Sequence, residues 1–164
     1  MPRPAAKTAA KSAPTRAIPA WDQSAPGLWF CVWEIFLESR RHLERALAPL
    51  KLRPREFWLL AIAGPGNVSQ QEIARLYGLD PSTLVAVIDA LERRGWLRRQ
   101  RNPGDRRVQW VRRTDAGDRL FARALPRAQR AEARQLAVLS ATQQRHLFAA
   151  MRQLLISSKS PEMP

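Results

Sequence analysis

Apolar residues recur at helical spacing along most of the chain. From Leu28 to about Ala48, the positions Trp29, Val32, Trp33, Phe36, Leu43 and Leu47 fall mostly three or four apart. This predicts an amphipathic helix entered after Pro26 and Gly27 and stopped by Pro49. In "LAPLKLRPREFWLLAIA", Pro54 suits a first helical position, so a second helix is expected to Ala63, with a loop at "GPGN", 64 to 67. In "SQQEIARLYG", Ser69 and Glu72 make a capping box, Ile73 and Leu76 supply a buried face, and Gly78 ends the helix. Asp80 then caps and Pro81 opens another helix, with Leu84, Val87, Ile88 and Leu91 on one face until Gly95. Two helices joined by so tight a turn predict a helix-turn-helix.

The period then changes. Trp96 to Arg101 and Arg107 to Arg113 read as two short strands around the turn "NPGD", with Val108 and Trp110 alternating against polar neighbours and anchoring the hairpin to the core. Helical spacing returns after Thr114, a cap, with Leu120, Phe121, Ala124, Leu125 and Ala128 on a stripe that Pro126 is expected to bend. A last helix starts at Ser140, whose capping box is completed by Gln143, and Leu147, Phe148, Met151, Leu154 and Leu155 line it. No repeat of solenoid length is present. The fold class is therefore mainly α with a small β-hairpin wing, a winged helix-turn-helix flanked by N- and C-terminal dimerisation helices. The terminal stripes carry more Trp, Phe and Leu than so small a module covers, and a symmetric partner is the natural cover. The expected segments are 1–20, a disordered basic tail; 21–52, an N-terminal dimerisation helix; 53–114, the DNA-binding winged helix-turn-helix; 115–157, C-terminal dimerisation helices; and 158–164, a disordered end.

Charge narrows the partner. The chain holds 28 Lys and Arg against 14 Asp and Glu, a formal +14, which favours polyanions, and double-stranded DNA first among them. Nine arginines lie between Arg93 and Arg113 with Asp105 as the only acid in that span, and charges that repel on a protruding hairpin are relieved by phosphates or a narrow minor groove. Cys31 is the sole cysteine and His42 and His146 the only histidines, which excludes an internal disulfide, argues against a metal site, and makes a reducing cytoplasm the expected location. The longest apolar run, Phe57 to Ala63, is far short of the ~18 residues of a membrane span. Residues 1 to 20 contain four prolines, four Lys or Arg and no acid. The lack of acids fits a transit peptide, but the prolines and the missing amphipathic period favour a tail near DNA phosphates. No Gly-rich phosphate loop or nucleophile motif is present, so neither an enzyme nor a cofactor is expected.

Three motifs carry a family resemblance. "LAPLKLRPREFWLL" (47 to 60), the block "VSQQEIARLYGLDPSTLVAVIDALERRGWLRRQRNPGDRRVQWVRRTDAG" (68 to 117), and the D-x-R formed by Asp105 and Arg107 together resemble the MarR family of bacterial transcriptional regulators. The likeness covers roughly residues 28 to 157. The chain departs from the family pattern at Arg113, where Leu is usual before T-x-x-G, and at Lys51 and Arg53, where Gly and Thr are usual. The resemblance implies a repressor, a homodimer intertwined through its first and last helices, on a palindromic site whose major grooves lie roughly 34–36 Å apart.

Pro81, Ser82, Thr83, Val85 and Ala86, at the start of the second helix of the motif, are the residues expected to face the major groove. Ser69, Gln70 and Gln71 open the preceding helix, whose N–H groups suit phosphate. The resemblance assigns Arg107 to the minor groove and leaves Asp105 to brace the wing against an opposite-strand arginine, Arg99 being the choice, while Arg99 and Arg106 add phosphate contacts. Many relatives release DNA on binding a small aromatic acid or phenol, for which Trp29, Trp33, His42, Phe57 and Trp58 are candidate linings and Arg40, Arg53 and Arg55 candidate carboxylate partners. Two further readings stay open: redox sensing through Cys31, which has no cation beside it in sequence to activate the thiol, and a sequence-tolerant nucleoid binder, which would hold random DNA nearly as tightly as a promoter.

Overall fold

The cap residues named above set the helix boundaries. Helix α1 spans Gly27–Leu47; a single 3-10 turn, Ala48–Leu50, leads to α2, Pro54–Ile62. Strand β1, Val68–Ser69, precedes α3, Gln70–Tyr77, and α4, Pro81–Arg93; β2, Leu97–Arg101, and β3, Gln109–Arg113, form the wing; α5, Asp115–Leu136, and α6, Ala141–Ser157, follow. The computed structural model describes residues 27–64, 68–78, 80–102, 104–105 and 107–157. The expected tail over 1–20, the end segment 158–164, loop positions 65–67, Leu79, Pro103, Arg106 and the side chain of Leu76 lie outside the described residues.

The local signals act as their chemistry dictates. The Ser69 hydroxyl accepts the Glu72 N–H at 3.1 Å while Glu72 Oε2 accepts the Ser69 N–H at 2.8 Å, and Gly78 ends α3 in the left-handed region at φ 57°. Asp80 accepts the Thr83 N–H at 2.8 Å, Thr114 Oγ1 accepts the Gly117 N–H at 3.1 Å, and Ser140 and Gln143 cap α6 reciprocally at 3.3 and 2.8 Å. Lys51 adopts φ 51°, a conformation that costs a side chain about 1 kcal/mol or more. Its carbonyl is held by Arg94 Nη2 at 2.6 Å.

The chain divides into two units, residues 1–35 and 36–164. The described part of the first is the opening of α1, on which Leu28, Trp29, Val32 and Ile35 are exposed. The second contains the core: Leu47, Leu50 and Leu52; Phe57, Leu59, Leu60 and Ala63 of α2; Ile73 of α3; Leu84, Ile88 and Leu91 of α4; Leu97 and Val111 of the sheet; and Leu120 and Ala124 of α5. Phe57 stacks on Phe121 with ring centroids 5.6 Å apart, which ties α2 to α5. Helix α6 has no buried residue.

Two sequence expectations change. The hairpin is a three-stranded antiparallel sheet in the order β1-β3-β2, because Val68 and Ser69 pair with Val111 and Trp110. Two residues are too few for an alternation to be legible, so the segment reads as loop. The wing is anchored by Leu97 and Val111, both buried, while Val108 precedes the strand and Trp110 is half-buried on the other face. Strand alternation has a period of two, so this shift of one residue reverses which side chains point inward. Helix α5 continues through Pro126, which gives up one backbone hydrogen bond.

Candidate nucleic-acid interface

Sheet register decides the fate of the arginines. Leu97 pairs with Arg113 and Arg99 with Val111, so these four share the inward face with Val68. Two guanidinium groups therefore enter a face otherwise built of apolar side chains, and each is met by carboxylate. Arg99 forms ion pairs with Glu92 and with Asp89 at 2.7 Å, both on α4, and its backbone N–H donates to Glu92 Oε1 at 2.6 Å. Arg113 donates to Asp118 Oδ1 at 2.6 Å and to the Leu60 carbonyl at 2.8 Å, and its guanidinium lies 4.4 Å from the centre of the Phe121 ring. Arg94, just before the sheet, sits 3.7 Å over the Trp96 ring and reaches the buried Glu56 at 3.3 Å.

Arg94, Arg99 and Arg113 are thus structural cations that join wing, α2, α4 and α5. The sequence alone assigns Arg99 to phosphate and does not single out Arg94 or Arg113. The signal that separates them was present in Asp89, Glu92 and Asp118, but the strand phase was needed to use it. Asp105 is not Arg99's partner. It accepts the Arg107 N–H at 3.0 Å and pairs with Arg107 Nε at 3.4 Å, bracing the tip locally, while Asn102 accepts the Gly104 N–H at 2.8 Å. Asp105 cannot serve Arg99 because the α4 carboxylates already hold that side chain on the inward face, 21% exposed.

What remains outward is a shorter set. Arg107 is 93% exposed, and Arg98 and Arg101 are exposed on β2. On α4, Pro81, Ser82, Val85 and Ala86 are exposed and Thr83 is half-buried. The Ser82 hydroxyl donates to Asp80 Oδ2, so the groups it has left toward a base are lone pairs. That hydrogen bond, then the Thr83 N–H, hold the Asp80 carboxyl below its usual range. At α3 the expectation changes again: Ser69 is 6% exposed, its hydroxyl oxygen accepts the Glu72 N–H and its own N–H is held by Glu72, so its backbone N–H is not free for a phosphate. The Ser69 N–H, followed by its hydroxyl, also lowers the Glu72 pKa. Gln70 accepts from Arg99 Nε at 3.4 Å, and Gln71 is exposed.

The eight residues expected to line an effector pocket lie on α1, at the N-cap of α2 and within α2. Phe57 is core, Trp58, Arg53, Arg55 and Arg40 are exposed at separate positions, and Trp29 and Trp33 belong to the exposed opening of α1. His42 pairs with Glu38 at 3.0 Å. Cys31 is half-buried. An open groove of about 360 Å³ lies instead between the 3-10 turn, Trp96 and α5, lined by Pro49, Leu50, Lys51, Trp96, Ala116, Arg119, Leu120 and Arg123. Among the described residues no three His, Cys, Asp or Glu side chains cluster as metal ligands, and no helix is long and apolar enough to cross a membrane.

Comparison with known proteins places this geometry. The profile of the MarR family matches residues 56–108. The HTH-type transcriptional regulator PecS of Dickeya dadantii is 33% identical over 115 residues, 68% of this chain and 69% of PecS. Among solved structures, CouR from Rhodococcus jostii bound to p-coumaroyl-CoA is 30% identical with a TM-score of 0.72, over 85% of this chain and 96% of CouR. A Mycobacterium tuberculosis MarR family protein in complex with salicylic acid is 29% identical with a TM-score of 0.68, over 80% of this chain and 98% of that one.

Proposed function

The chain belongs to the MarR family of transcriptional regulators, and on this footing we propose that it is a repressor that binds a palindromic promoter site as a homodimer. Helix α4 enters the major groove, where Ser82 accepts a hydrogen bond from an adenine or cytosine amino group and Val85 and Ala86 meet thymine methyls. Thr83, half-buried, contributes its outer edge, and Pro81 starts the helix at the groove. Arg107, with Arg106 beside it, reaches the minor groove, and Arg98, Arg101, Gln70 and Gln71 contact phosphate. The observation that carries this reading is Arg107, a 93% exposed cation on a hairpin that other arginines hold in place.

The dimer is supported by uncovered apolar surface. Trp29 is 81% exposed and Ile35 58% on α1, and Leu154 is 56% and Ile156 63% exposed on α6. A second copy covers such stripes by burying them symmetrically. A small aromatic acid or a phenol releases the DNA, in line with the salicylic acid of the M. tuberculosis structure and the phenolic acyl group of the CouR ligand. The groove below Trp96 supplies an indole wall with Lys51, Arg119 and Arg123 for a carboxylate. A ligand there acts by preferring a spacing of the two reading heads that the operator does not fit.

Fluorescence anisotropy with the DNA upstream of the protein's own gene tests the reading. Expected are binding at least about a thousandfold tighter than to shuffled DNA, and release by salicylate or p-coumarate. Equal affinity for shuffled DNA would instead identify a sequence-tolerant nucleoid binder.

A further inference from the structure

We propose that a second groove, between the C-terminal part of α1 and the distal half of α5, binds a small molecule carrying closely spaced phosphates, such as the diphosphate of a nucleotide. The groove has a volume of about 400 Å³, within the range of small-molecule sites. Its walls are cationic: Arg127, Arg130 and Arg134 fall at i, i+3 and i+7 on one face of α5, opposite His42 and Arg45 of α1. Ala46 and Ala131 are the remaining lining residues, and their small side chains leave the space between the guanidinium groups open. The two helices are tied at this level by the Gln135 side-chain amide, which donates to Ser39 Oγ at 2.8 Å.

On the α5 side of this groove, no carboxylate among the described residues pairs with the arginines. On the α1 side, Glu38 pairs with Arg41 and with His42 of the groove, both at 3.0 Å, and its charge also acts on Arg45. Among the described residues, Arg45, Arg127, Arg130 and Arg134 have no carboxylate within ion-pair distance, in contrast to Arg94, Arg99 and Arg113. Four arginines lining one space repel each other unless an anion joins them. A single carboxylate answers one such group, whereas a diphosphate offers several oxygens in the paired geometry that guanidinium binds with two parallel hydrogen bonds. The site is also remote from the proposed DNA surface: Arg127 lies twelve residues along α5 from Asp115, about 18 Å at the helical rise. The proposal rests on this geometry alone and stands whether or not the chain reads DNA as described.

Isothermal titration of the full chain with inorganic pyrophosphate, ADP, AMP and salicylate, at about 150 mM salt to suppress diffuse attraction, tests it. Pyrophosphate and ADP are expected to bind saturably and more tightly than AMP, and salicylate is expected not to compete. ADP binding well above pyrophosphate would show that the nucleoside adds contacts; equal binding would show that the phosphates suffice. The double variant Arg127→Gln/Arg130→Gln should lose about tenfold or more in pyrophosphate affinity while its DNA affinity and oligomeric state stay as in the parent. Arg107→Ala should leave pyrophosphate binding intact. The proposal is overturned by absence of saturable binding, by an unchanged affinity in the double variant, or by loss of pyrophosphate binding in Arg107→Ala, which would place the anion on the wing. It is equally overturned if the double variant loses DNA binding in proportion, or if it becomes monomeric, since the groove would then belong to the DNA surface or to the subunit interface.

Discussion

Arg99 and Val111 face each other in register across β2 and β3, so the guanidinium and the buried valine lie on the same side of the sheet. Arg99 is tolerated there because Asp89 and Glu92 of α4 meet it. The wing and the helix proposed to read the major groove are therefore held to each other by charge as well as by apolar packing, and their relative placement depends on one side chain.

Removing Arg99 should thus be a stability defect. Arg99→Ala leaves two acids facing each other without their cation, and a loss of about 1–3 kcal/mol in urea unfolding is expected. Arg107→Ala should unfold within about 0.5 kcal/mol of the parent, as exposed substitutions do. It should also weaken operator binding and reduce the salt slope by about one. If the two variants behave alike in both measurements, the division between structural and contacting arginines is wrong.

Gly117 should not accept a methyl group. A Cβ there would lie 2.0 Å from the Trp96 carbonyl oxygen, which is backbone that also accepts the Thr114 N–H at 3.2 Å. Gly117→Ala is expected to cost about 1–3 kcal/mol or more, seen as a lowered melting temperature, because the junction of wing and α5 must open. A melting temperature matching the parent's would mean the junction relaxes freely.

Acid should loosen the helix-turn-helix through its caps. The Glu72 and Asp80 carboxyls have folded pKa values below their ordinary 4.5 and 3.8, so the stability they contribute is complete above those values. It is lost as pH falls through the lowered folded values. Glu72→Gln/Asp80→Asn keeps acceptor atoms but not the titration. The melting-temperature gap between parent and variant should be constant from neutral to about pH 5 and shrink below it. A gap that does not change with pH would remove these caps from the acid response.

A charge in the α6 stripe tests the dimer. Leu154 is 56% exposed in the single chain, so Leu154→Glu should leave the fold of each subunit intact. Light scattering should then report a monomer, and operator affinity should fall toward that of one half-site. A dimer of unchanged mass would exclude α6 from the interface.

The helices were legible in the sequence wherever a cap or a turn states its own case. Ser69 with Glu72, Asp80 with Pro81, Thr114 and Ser140 with Gln143 act within three residues of themselves, so their meaning travels with the local chain. The outward face of α4 was legible for the same reason, since Leu84, Ile88 and Leu91 claim one face and leave Ser82, Val85 and Ala86 on the other.

The wing shows where local information ends. In "RRVQWVRRT" either strand phase offers an apolar residue to the core, Trp110 in one and Val111 in the other, and nothing within the hairpin selects between them. The choice is made by Val68, which pairs with Val111 from 43 positions away, and by the α4 acids that accept Arg99 on the same face. Burial of a charge is decided by where its counter-charge lands in space, and that position exists only once the helices and the third strand have packed.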